Sequence, residues 1–99
     1  MLINITTAKT TVLNTIGNGN GNVRIRIANN GNDAVTISLL LRDGIPTTTA
    51  THTDYYVIKN LVIPVATTAL FEDIDYNPDD YSLCVVTTGT TNITISVLY

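Results

Sequence analysis

The pattern that most restricts the fold of this chain is a repeated alternation of apolar and polar residues with a period of two. In residues 22–28, three aliphatic side chains alternate with Arg24 and Arg26. Successive side chains of a β-strand point to opposite faces, so this spacing predicts a strand with one buried face. Similar short runs continue to the end of the chain, separated by turn residues and with no helical periodicity between them. The sequence therefore predicts an all-β fold.

The number of such runs predicts seven or eight short strands. The clearest of them cover residues 22–28, 34–41, 55–63, 67–72, 81–87 and 92–98. Ninety-nine residues, of which 44% are hydrophobic, are enough for one domain with a single core. Strands at this spacing favour an antiparallel two-sheet sandwich of immunoglobulin-like or jelly-roll type.

Residues 29–32, Asn-Asn-Gly-Asn, carry the strongest hairpin signal in the chain. Asn and Gly tolerate the positive φ that tight hairpin turns require, and the runs on both sides alternate. We therefore expect the strands at 22–28 and 34–41 to pair with each other as a hairpin.

The first 21 residues are organised differently. Apolar residues within 2–5 and 10–16 predict one or two strands, and residues 17–21, Gly-Asn-Gly-Asn-Gly, form a flexible linker. We divide the chain into an N-terminal arm or edge strand with its linker, 1–21, and a β-sandwich domain, 22–99. A terminal strand on such a linker pairs either at an edge of its own sheet or with a neighbouring subunit, and both alternatives stay open.

The charge composition argues against nucleic acid as a partner. The net charge is −3 with five basic residues, whereas phosphate binding needs a clustered basic surface.

No apolar run approaches the roughly 18 residues that span a bilayer, and the first residues do not resemble a secretory signal. Only 13% of residues are charged. We expect a soluble protein with a neutral, hydroxyl-rich surface that is suited to contacts with other proteins.

Few residues are equipped for chemistry, so we expect no enzyme and no cofactor. Cys84, the single cysteine, lies in the apolar run 81–86, which favours a buried structural thiol. His52, the single histidine, lies in a threonine-rich run and is interpreted as an exposed loop residue.

Residues 73–80 form an acidic segment with one possible metal pattern. Oxygen-bearing side chains recur at every second position, as at the start of a calcium loop, and these weak metal candidates are Asp73, Asp75, Asn77 and Asp79. Pro78 stands where the glycine of an EF-hand loop belongs, and no helix is predicted on either side. A solvated acidic turn is therefore the expected structure.

Several of the predicted strands together resemble a known class of protein. The run 55–64 (YYVIKNLVIP), the segment 69–72 (ALFE) and the strands at 81–85 and 93–97 are similar in order and spacing to small β-sandwich virion proteins of tailed bacteriophages. That class includes capsid decoration, or cement, proteins. The resemblance implies a structural protein, made in the host cytoplasm and located on the capsid surface, with the major capsid protein as its partner and a homotrimer as its assembly.

Under that resemblance the N-terminal segment would reach the shell or a neighbouring subunit and add a strand there. The residues that we expect to carry this contact are Leu2, Ile3, Ile5, Val12 and Leu13. One alternative is a glycan-binding module that uses the acidic turn and the tyrosines at 55, 56, 76, 81 and 99. Another is a head–tail connector or tail component, which would differ in ring symmetry.

Overall fold

The computed structural model describes residues 2–14, 17, 21–43, 53–88 and 91–98, which form eight strands and their connections. The strands are β1 (Leu2–Ile5), β2 (Thr10–Asn14), β3 (Asn22–Asn29), β4 (Val35–Asp43), β5 (Asp54–Ile63), β6 (Thr68–Asp75), β7 (Tyr81–Thr88) and β8 (Ile93–Leu98). No helix within those ranges is long and apolar enough to span a bilayer.

The eight strands form two antiparallel sheets of four, which confirms the predicted two-sheet sandwich. Sheet A has the order β1-β8-β3-β6, and sheet B has the order β2-β7-β4-β5. Each strand of the first half pairs with its counterpart counted from the other end: β1 with β8, β2 with β7, β3 with β6 and β4 with β5. This is the order of a jelly roll, in which a long antiparallel ribbon is folded over on itself. An immunoglobulin sandwich would instead place β1 and β2 in one sheet.

The core lies between the two sheets and follows from the alternation in the sequence. In β3 the residues Val23, Ile25 and Ile27 are fully buried, while Arg24 and Arg26 are exposed. The same alternation in β8 buries Ile93, Ile95 and Val97 in the same core cluster. Sheet B supplies the facing layer, which includes Ile37, Leu39, Leu83 and Val85.

The two N-terminal strands pair within the chain, one at an edge of each sheet. β1 lies beside β8, and β2 lies beside β7. Ile5 is fully buried and Leu13 is 2% exposed, and both belong to the core cluster. Strands β1 and β2 are therefore part of the same sandwich as the strands that follow residue 21.

The predicted hairpin between residues 22–28 and 34–41 is wrong. Strand β3 lies in sheet A between β6 and β8, and β4 lies in sheet B between β5 and β7, so neither has a free side for the other. Residues 30–34 cross from one sheet to the other, a longer path than a two-residue hairpin loop. The buried side chain of Asn29 fixes this crossover: its Nδ2 donates to the carbonyls of Asp33 (2.8 Å) and Ile63 (3.0 Å), and its Oδ1 accepts from the Gly31 amide (3.0 Å).

Candidate protein interface

The outer face of sheet A carries a group of exposed leucines. The strand register aligns one row of outward residues across all four strands: Leu2, Ser96, Arg26 and Leu70. The neighbouring row places Leu98 beside Arg24. We call the surface formed by Leu2, Arg24, Arg26, Leu70, Glu72, Ser96 and Leu98 the leucine face.

The three leucines are among the most exposed apolar side chains that the structure describes. Leu2 is 73% exposed, Leu98 57% and Leu70 53%. Isolated exposed apolar residues are ordinary, but a group of them on one sheet face is typical of a contact surface. Their neighbours along each strand are less exposed: Val97 is buried, and Ile3, Ala69 and Phe71 are half-buried against the core. The alternation of the strand itself therefore holds the leucines outward.

Two arginines lie among these leucines. Arg24 and Arg26 project from β3, an interior strand, and both are exposed. Neither guanidinium makes a hydrogen bond or an ion pair with any described residue. Glu72 lines the same shallow depression as both arginines, together with Leu70 and Leu98. Arginine between apolar side chains is the composition that protein interfaces favour.

A β-bulge shapes one border of this face. Arg24 alone stands opposite Glu72 and Asp73, because Val23 pairs with Ile74 and Ile25 pairs with Phe71. Asp73 has φ 56°, the left-handed conformation that a bulge residue adopts. β6 continues to Asp75, so the predicted acidic turn is shorter than expected and covers only residues 76–80.

A second group of exposed apolar residues lies on β5, at the edge of sheet B. Tyr56 is 48% exposed and Val62 is 55% exposed. The Lys59 Nζ lies 4.9 Å from the centroid of the Tyr56 ring. The neighbouring Tyr55 ring meets Tyr81 edge-on, with 5.8 Å between centroids. Bulges at Val57 and at Asn60, together with the lysine, are features that protect an edge strand from pairing with another chain.

The residues that the sequence proposed for the contact separate in the structure. Leu2 lies on the leucine face, whereas Ile5 and Leu13 fill the core and Ile3 packs against it half-buried. Val12 lies half-buried on β2, in sheet B. Sequence reasoning missed Leu70 and Leu98. A usable signal was present, because each is an apolar residue at an outward position of an otherwise regular alternation.

Two of the four metal candidates, Asp75 and Asn77, use their side chains in hydrogen bonds within the chain. Asp75 accepts a hydrogen bond from Asn22 Nδ2 (2.5 Å), and Asn77 Oδ1 accepts from the Asp79 amide (3.0 Å). Asn77 Nδ2 donates to Asp80 (2.9 Å). Over the described ranges, no three acidic, histidine or cysteine side chains come together as a metal site would require. These hydrogen bonds shape the turn between β6 and β7.

Cys84 is fully buried on β7, at the outward side of sheet B. The register places it in a row with Val12, Leu40 and Tyr56. Burial raises the pKa of the Cys84 thiol, and the charge of Arg42 opposes that rise without cancelling it. The predicted buried thiol is therefore confirmed. His52 and Tyr99 lie outside the described residues.

The ion pair beside this row is between Arg42 and Asp54. Arg42 Nε donates to Asp54 Oδ1 at 2.8 Å, and the second guanidinium contact is 3.3 Å. The hydrogen bond to Asp54 raises the pKa of Arg42, so the guanidinium stays charged. This pair ties β4 to the edge strand β5.

Comparison of the chain with protein-family models, with curated proteins and with solved structures finds no match.

Proposed function

We propose that this chain is a structural virion protein that binds the outer surface of a tailed-phage capsid and stabilises it through protein–protein contacts. The observation that carries the proposal is the leucine face, a surface with three exposed leucines and two arginines whose side chains have no partner among the described residues. We take the major capsid protein as the partner because the order and spacing of the strands resemble those of capsid decoration proteins. Jelly rolls are widely used in virus capsids, which agrees with this class without identifying it.

The expected affinity of a single contact is low. Burying an exposed leucine side chain contributes about 1.5–3 kcal/mol to binding. The three leucines together must offset an association cost of at least about 4 kcal/mol, so little net binding free energy is left. A homotrimer would present three leucine faces to a repetitive shell, and linked binding of this kind raises the overall affinity by about a hundredfold or more. The proposal therefore includes self-association, with the trimer as the predicted assembly.

The test uses phage heads assembled without this chain. Purified protein is added to the heads and the bound copies are counted after sedimentation. Leu70→Asn combined with Leu98→Asn should abolish binding while leaving the fold intact, because both side chains are more than half exposed. Val62→Asn is the matched control, since Val62 is equally exposed but lies on sheet B. Equal binding by the leucine variant and the control would contradict the proposal.

Removal of residues 1–16 is not a suitable test of the contact. It would delete two edge strands and the core residues Ile5 and Leu13. Loss of binding by the truncated protein would then reflect unfolding rather than the loss of contact residues. Leu2→Asn changes only the exposed residue of β1 and is the variant that tests the N-terminal contribution.

The native mass in solution distinguishes a decoration protein from a head–tail connector. Light scattering after size exclusion should give three copies under the proposed function. Six or twelve copies would favour a ring at the head–tail junction.

A glycan-binding module is the second candidate, because Tyr55 and Tyr56 are both about half exposed on β5. Adjacent residues of a strand point to opposite faces, however, and each ring already meets Lys59 or Tyr81, so the two rings do not form one stacking platform. Retention on a glycan array that is lost in Tyr56→Ala but kept in the leucine variant would favour this candidate.

A further inference from the structure

We infer that the leucine face fits a protein surface that places carboxylates among apolar side chains. This inference rests on the proposed function and specifies the chemistry of the capsid surface that the face contacts. It is carried by the two arginines at the centre of the face.

The charges on this face differ from those of the whole chain. The chain has net charge −3 and only five basic residues. Of its three arginines, Arg42 is paired with Asp54, whereas Arg24 and Arg26 both project from the leucine face without a described partner. Among the described residues that line the depression, two arginines face one carboxylate, Glu72, so the depression carries an excess of positive charge on an acidic protein. Asp73 and Asp75 follow Glu72 on β6, beyond this lining.

The strand register explains why the sheet does not neutralise these arginines. Arg24 pairs across the strands with Leu98, and Arg26 pairs with Ser96 and Leu70. Glu72 lies within the bulge opposite Arg24, but no ion pair joins it to either arginine. Two like charges two residues apart on the same face of one strand repel each other and do not stabilise the isolated sheet. An external carboxylate would supply the missing partner.

Because the arginines lie among exposed leucines, the partner must offer apolar side chains as well as carboxylates, and a protein surface offers both. A guanidinium presents a planar fork of donors that matches a carboxylate in a bidentate contact. When the leucines are buried against the shell, the arginines lose water, and an unpaired charge there would be costly. A capsid surface with carboxylates in matching positions satisfies both requirements. A nucleic-acid phosphate backbone would pair with the arginines but would offer the leucines no apolar contact. A chain of net charge −3 with two arginines on this face also lacks the clustered basic surface that phosphate binding needs.

The test removes the two charges and compares that variant with a variant that loses two charges elsewhere. Arg24→Gln with Arg26→Gln is the test variant, and Lys9→Gln with Lys59→Gln is the control. Both lysines are exposed and lie outside the leucine face. Binding to heads assembled without the chain is measured from about 50 to about 500 mM NaCl, a range over which exposed charges become screened.

The unaltered chain and the lysine control should bind within about twofold of each other, and both should weaken as salt rises. The arginine variant should bind about tenfold or more weakly at low salt and should show little further dependence on salt. Equal thermal midpoints of the three proteins confirm that the fold is retained.

Arginine-variant binding within about twofold of the lysine control would overturn this inference while leaving the proposed function in place. Arginine-dependent binding to a 20-base-pair DNA duplex, measured by fluorescence anisotropy, would also overturn it in favour of a nucleic-acid contact. Failure of the unaltered chain to bind heads would overturn the proposed function, and this inference with it.

Discussion

The substitution Ile5→Ala tests whether β1 is an integral part of the sandwich. Ile5 is fully buried and belongs to the core cluster, although it is the fifth residue of the sequence and lies on an edge strand. It pairs across the strands with Ile93 of β8, which is also fully buried. A detachable arm would not place its side chain in such a position.

The expected cost follows from the burial. Replacing a fully buried isoleucine by alanine removes three carbon atoms and leaves a cavity, which destabilises proteins by about 2–5 kcal/mol. A domain of this size has a total free energy of unfolding of about 5–15 kcal/mol, so the loss is a large fraction of it. At about 4–8 °C per kcal/mol, the lower end of this range already lowers the melting temperature by about 8–16 °C.

Urea unfolding followed by far-UV circular dichroism measures this cost, with Leu2→Ala as the control on the same strand. Leu2 is 73% exposed, so its replacement should change the free energy of unfolding by no more than about 0.5 kcal/mol. An Ile5→Ala protein as stable as the Leu2→Ala control would show that β1 does not contribute to the core in solution.

Three further predictions concern the crossover, the turn and the thiol. Asn29→Ala should lower the free energy of unfolding by about 2–4 kcal/mol, because it leaves the buried Ile63 carbonyl and two part-buried backbone groups without their partner. An unchanged urea midpoint would contradict the conclusion that Asn29 fixes the crossover. Gly21→Ala should be destabilising in the same assay, since an added Cβ would overlap the Tyr76 carbonyl oxygen, and a neutral result would show that this approach is not close. Burial raises the pKa of Cys84, so the unfolded thiol ionises first and stability should fall as pH rises above about 8.5. Cys84→Ala should make that alkaline decline shallower, and equal slopes for the two proteins would contradict the pKa shift.

The strands and their buried faces could be predicted because both depend on local alternation. The pattern of β3 predicted which residues face the core and which face solvent, and the structure confirms both sets. Alternation carries no information on which strands pair. Asn30 and Gly31 favour a turn, but they do not specify whether the chain returns in the same sheet or crosses to the other one. The hairpin prediction failed for that reason.

The candidate interface could be predicted only in part. Leu2 was proposed from its position near the N-terminus, and it is exposed on the leucine face. Ile5 was proposed on the same ground and is buried, because the register of β1 against β8 decides which of its residues point inward. Leu70 and Leu98 become neighbours of the two arginines only through pairings between strands distant in sequence. The bulge at Asp73 is likewise a product of the β3–β6 register.

The measurement that most directly tests the central claim is hydroxyl-radical footprinting of the chain, free and bound to phage heads, with residue-level readout by mass spectrometry. If the leucine face is the contact surface, Leu2, Leu70 and Leu98 will lose reactivity on binding, while Val62 on sheet B keeps the reactivity that it has in the free protein. Protection of Val62 with unchanged leucines would contradict this prediction and would move the contact to β5.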